Sequence, residues 1–93
     1  METLEEIRAK IDEVDERMAE LFARRLELAK KAAQYKRAHS LPAEDAEREV
    51  QILERGASKF EGAAAEAQDG AAREDYLRFQ KTVIQISKDA QKR

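Results

Sequence analysis

Arg25 stands where an apolar residue is due. From Leu4 the apolar side chains recur at Ile7, Ile11, Val14, Met18 and Leu21, then at Leu28, Ala32 and Tyr35, the 3-and-4 spacing of one helix stripe. That stripe asks for an apolar group at position 25 and meets a guanidinium instead. Lys36 follows eleven residues later, about 20° away around a helix of 3.6 residues per turn, so both cations project from nearly one face. Charge buried without a counter-charge is costly. The counter-charge is either a carboxylate of the chain, such as Glu49, with the long side chains snorkelling to water, or a bound anion. Two cations on one stripe favour the anion.

Three weaker signals accompany this pair. Asp45, Arg48 and Glu49 stand at i, i+3 and i+4 beside a helix start, where free N–H donors favour negative charge; an ordinary capped, salt-bridged first turn has the same pattern. Ser87 and Gln91 are also i, i+4, flanking Ile86 and Ala90, and each alone reads as solvent-facing. Arg8 precedes Arg25 by seventeen residues, about 100° round the helix and about 25 Å along it, so it cannot serve the same site within one chain. In an antiparallel pairing of two such helices it reaches the partner's site. Otherwise it belongs to the charged surface of Asp12, Asp15 and Glu16.

The elements that must position these groups follow from the same patterns. Thr3 with Glu6 forms a capping-box signature, and no Pro or Gly interrupts the chain before Ser40-Leu41-Pro42, so a helix is expected over about 3–38. Such a rod is roughly 55 Å long, whereas a compact globule of this length is only about 30–35 Å across. An overhang with an apolar stripe implies a second chain, most economically in a twofold homodimer. After Pro42, Asp45 is a plausible N-cap for a shorter helix over about 44–61 carrying Val50, Ile52 and Leu53. Gly56, Gly62 and Gly70 among Ala and Ser weaken its continuation, and fraying or a loop is expected over about 62–71. Tyr76, Phe79, Val83, Ile86 and Ala90 give a third helix over about 72–91. The expected fold is all-α, long, short and medium helices in one domain over 1–93, with no internal repeat.

Composition agrees with this picture. Ninety-three residues bury only about 60–65% of their unfolded surface, a thin core that a partner chain would supplement. Charged residues reach 41% and aromatics 5%, with three Gly, one Pro and no Cys, which speaks against a β-sandwich or a disulfide scaffold. A net charge of -2 supplies no global field for nucleic acid or an anionic membrane, and the basic pairs Arg24-Arg25 and Lys30-Lys31 are interleaved with acids. The acidic start and the lack of any long apolar window lead us to expect a soluble, cytoplasmic protein. With no Cys and His39 as the one histidine, no metal or other cofactor is expected.

In order along the chain, these pieces resemble the all-helical class of chorismate mutase. The resemblance runs through Ile7-Arg8-Ala9-Lys10-Ile11-Asp12-Glu13-Val14-Asp15, Ala23-Arg24-Arg25-Leu26-Glu27-Leu28-Ala29 and Tyr35-Lys36-Arg37. It continues in the proline turn and D-x-x-R-E of Asp45, Arg48 and Glu49, and in the I-S-K-x-x-Q ending of Ile86-Ser87-Lys88-Asp89-Ala90-Gln91. No single piece is specific; five in this order are.

The resemblance implies an intertwined homodimer of three-helix chains with two active sites, each completed by an arginine of the other chain. Arg25 and the partner's Arg8 would bind the two carboxylates of chorismate. Lys36 would contact a carboxylate and the ether oxygen, to which Gln91 would also donate. Glu49 and the Asp45 region would hold the ring hydroxyl, and Ser87 and Arg48 would complete the polar contacts. The implied reaction is the rearrangement of chorismate to prephenate in phenylalanine and tyrosine biosynthesis, which needs neither nucleophile nor metal.

The main departure is the stretch from Gly56 to Ala72, longer and richer in Ala and Gly than the usual connection. It leaves two registers for the third helix, Ile86 with Ala90 or Ser87 with Gln91; the second supplies polar groups and is adopted. Isochorismate pyruvate lyase has a similar fold but lacks the full D-x-x-R-E turn. A non-catalytic dimeric helical module is the rival from another class, though it has little use for the arginine in the stripe, and RNA contact is more distant still. Whether the chain acts alone or with another shikimate-pathway enzyme is open at this point.

Overall fold

The computed structural model describes residues 1–64 and 71–93. Three helices follow in order, α1 over Leu4–Ala38, α2 over Ala46–Ala63 and α3 over Ala72–Gln91, with no strand among the described residues. Thr3 begins α1 in extended backbone, and its hydroxyl accepts from the Glu6 N–H at 3.2 Å. Glu5 and Glu6 in the first turn and Lys36 and Arg37 in the last complement the helix dipole. The helix ends in a Schellman motif: Ser40 takes a left-handed φ of 55°, Leu41 N–H reaches Lys36 C=O at 2.8 Å and Ser40 N–H reaches Arg37 C=O at 3.4 Å. Pro42 follows and stops any continuation.

Asp45, extended at φ -138° and ψ 92°, caps α2 by accepting from Arg48 N–H at 3.0 Å. Its backbone sets the start at Ala46, two residues beyond the 44 expected from sequence. The helix then runs through both Gly56 and Gly62 to Ala63. Gly56 has a packing reason to be there, because a Cβ at that position would lie 1.9 Å from the Tyr76 hydroxyl oxygen. The missing side chain lets the Tyr76 ring lie against α2, stacked on Phe60 at 5.3 Å and 12°. Of the loop expected over about 62–71, residues 65–70 fall outside the described part, while 62 and 63 are helical.

α3 packs against both α1 and α2. It contributes Val83, Ile84, Ser87 and Ala90 to the interior, against Ala33 of α1 and Ala57 of α2. These are mostly small side chains, so the core of one chain is thin, as its length requires. The molecule measures 56 × 26 × 16 Å, and its long dimension matches the rod expected of α1. All residues up to Leu21 are exposed, including Val14 at 54% and Leu21 at 69%. The side of α1 that meets α3 is a second stripe, Phe22, Leu26, Ala29 and Ala33. Arg25 and Lys36 lie at the border between this inner stripe and the exposed Leu21, Leu28 and Tyr35.

Candidate active site

Where the C-terminal half of α1, the start of α2 and the end of α3 converge, a cleft of about 340 Å³ opens. Arg25, Lys36, Asp45, Arg48, Glu49, Ser87 and Gln91 all line it. Arg8 does not; it sits on the exposed, overhanging half of α1. A neighbouring depression of about 400 Å³ shares Lys36, Glu44, Lys88 and Gln91 with this cleft, whereas two others, about 530 Å³ over α3 and about 680 Å³ over α2, lie on single helix faces and gather none of the expected site residues.

Arg25 is half-buried, and its Nη1 donates to Ser87 Oγ at 2.5 Å. The Ser87 hydroxyl in turn donates to Val83 C=O at 2.9 Å, one turn back along α3, so its free lone pairs face the guanidinium. Burial, and then the like charge of Arg48, push the Arg25 pKa below its ordinary value. A guanidinium keeps its charge at neutral pH even so. The cleft therefore holds a charge short of counter-charge, which a bound anion would relieve.

Lys36 Nζ donates to the Ala43 carbonyl at 3.1 Å, tying α1 to the connection before α2. That bond occupies one of its three donors. Among the described residues neither Arg25 nor Lys36 forms an ion pair, so the pairing with Glu49 that sequence alone left open is not made. Glu49 Oε1 is engaged instead by Lys88 Nζ at 3.0 Å, and Lys88 also reaches Glu44 at 3.3 Å. The hydrogen bond to Glu49, followed by that to Glu44, raises the Lys88 pKa. Sequence reasoning gave Lys88 no role; the only signal was its place inside the I-S-K-x-x-Q ending. Gln91 is half-buried and its side chain makes no hydrogen bond among the described residues.

Four cationic side chains, Arg25, Lys36, Arg48 and Lys88, thus face three carboxylates, Glu44, Asp45 and Glu49. The cleft is locally positive in a chain whose net charge is -2. Nothing in it is an activated nucleophile, and no cluster of metal-ligating side chains occurs among the described residues. What it offers is fixed positive charge and hydrogen-bond donors, the means to hold an anion in one conformation and to stabilise charge developing on an oxygen.

Comparison with known proteins agrees with this chemistry. The chorismate mutase type II family matches residues 7–92. A chorismate mutase of Methanocaldococcus jannaschii is 46% identical over 55 residues, which cover 59% of this chain and 56% of that protein. The T-protein of Haemophilus influenzae is 41% identical over 54 residues, 58% of this chain and 14% of that much longer protein. The chain thus spans little more than half of one relative and a small part of the other. No solved structure matches. The family match runs from the overhanging half of α1 to the end of α3 and takes in every element that lines the cleft, so the chain belongs to the chorismate mutase type II family.

Proposed function

We propose that this chain catalyses the rearrangement of chorismate to prephenate, as a homodimer whose two active sites are each completed by Arg8 of the partner subunit. The observation that carries the proposal is the cleft in which Arg25, Lys36 and Arg48 form no ion pair with a carboxylate among the described residues, since a dicarboxylate substrate would supply that partner. Arg25 and the partner's Arg8 bind the two carboxylates, with Ser87 and Arg48 completing the contacts. Glu49 and the Asp45 turn receive the ring hydroxyl. As the ether C–O bond breaks and the new C–C bond forms, negative charge grows on the ether oxygen, where Lys36 and Gln91 donate. No covalent intermediate forms. The rate comes from holding the compact conformer and from charge stabilisation.

The dimer rests on the bare half of α1. Leu4, Ile7, Ile11, Val14, Met18 and Leu21 are all exposed in one stripe, and burying six such side chains contributes on the order of 10 kcal/mol per chain, enough to offset the cost of association. An isologous antiparallel pairing covers both stripes at once and carries each Arg8 toward the other chain's cleft. We place the reaction in the cytoplasm; no helix among the described residues is long and apolar enough to cross a membrane.

The test is to follow loss of chorismate absorbance with the purified protein and identify the product. Prephenate supports the proposal. Pyruvate released from isochorismate points to a lyase, and inertness toward both points to a helical interaction module.

A further inference from the structure

On α3, Ser87 holds Arg25 of α1, and the next residue, Lys88, holds Glu49 of α2. The mechanism above uses the first contact and leaves the second without a purpose. Lys88 lies in the wall of the cleft with 27% of its side chain exposed, and Glu49 with 34%, so their 3.0 Å bond is partly shielded from water. Glu44, 75% exposed, makes the outer and weaker contact. Lys88 occupies only Oε1 of Glu49; Oε2 has no bond among the described residues. A carboxylate in this cleft also has guanidinium groups within its walls, Arg25 and Arg48, and a bidentate pairing with either would be strong. Such a pairing would consume the charge meant for the ligand's carboxylates.

We propose that Lys88 is a positioning residue that holds Glu49 by one oxygen, presenting the other to the hydroxyl of the ligand and keeping the carboxylate off Arg25 and Arg48. This rests on the reading of the cleft as a chorismate site. Lys88 does not itself touch the reacting atoms; it acts through Glu49. Its loss therefore matters only where Glu49 is a carboxylate.

A double-mutant cycle tests this. Lys88→Met, of similar length but uncharged, should lower kcat/KM about tenfold, chiefly through KM, because Glu49 turns onto the guanidinium groups. Lys88→Arg should restore most of the loss. Combined with Glu49→Gln, Lys88→Met should cost less than about twofold more than Glu49→Gln alone. Circular dichroism on each variant checks that the fold is kept. An equal loss from Lys88→Met with and without Glu49→Gln, or no loss at all, would overturn the inference while leaving the proposed reaction standing. A wild-type protein that does not convert chorismate would overturn the reading of the site itself, and this inference with it.

Discussion

Ser87 Oγ accepts a 2.5 Å hydrogen bond from Arg25 Nη1, joining two residues 62 apart in sequence and fixing the orientation of the guanidinium in the cleft. Ser87 is only 4% exposed and its own proton is committed to Val83 C=O, so this acceptor has one orientation. Ser87→Ala removes it. A hydrogen bond to a charged group is worth about 1.5–3 kcal/mol, and with Arg25 half-buried the lower end applies, about a tenfold fall in kcat/KM. The same bond ties α3 to α1, and the better helix propensity of Ala offsets only part of its loss, so the melting temperature should fall by about 4–8 °C or less. Steady-state kinetics beside a thermal melt checks both halves.

Lys36 and Gln91 are assigned to charge that exists fully only in the transition state. Lys36→Ala and Gln91→Ala should therefore lower kcat, by about 10²–10³-fold for the loss of one such donor, and change KM far less. An unchanged kcat in Lys36→Ala would mean that the ether oxygen is stabilised by another group.

The two glycines of α2 should respond oppositely to alanine. Gly62→Ala meets nothing within 4 Å and should raise stability by about 0.5–1 kcal/mol through helix propensity. Gly56→Ala gains the same propensity but drives a Cβ to 1.9 Å from the Tyr76 hydroxyl oxygen and 2.7 Å from its Cζ, displacing the stacked ring. Such overpacking costs about 1–3 kcal/mol, and each net kcal/mol lost lowers the melting temperature of a domain this size by about 4–8 °C. Calorimetry on the two variants shows the contrast directly.

Lys88 carries a pH dependence of known sign. Its pKa in the folded chain is raised above the ordinary 10.5, first by the bond to Glu49, so its contribution to stability is complete below 10.5 and is lost as pH rises through the higher, folded value. The difference in melting temperature between the wild type and Lys88→Met should thus be constant through neutral pH and shrink only above about pH 10.5. Melts from pH 7 to 12 measure it.

Arg25 and Lys36 were legible in the sequence because a cation interrupting an apolar stripe is visible without knowing what lies opposite. Asp45 was legible because capping is local: the residue, its extended backbone and the Arg48 N–H it satisfies lie within four positions. Lys88 was not, since a lysine after a serine reads as surface until three helices bring Glu49 and Glu44 to it. Gly56 reads as a weakness of its helix because the ring that needs its absent side chain lies twenty residues on. The inner stripe of Phe22, Leu26, Ala29 and Ala33 was masked by the longer exposed one, whose periodicity dominates the helix. That longer stripe stays largely exposed in the single chain.

Sharing of each site between two chains is tested most directly by subunit complementation. Arg8→Ala and Arg25→Ala homodimers should each be nearly inactive toward chorismate. Refolded together in equal amounts, they form about one half heterodimers, each with one intact site of two, so the mixture should recover about one quarter of wild-type activity. A mixture no more active than the mean of its two parents would contradict the shared site.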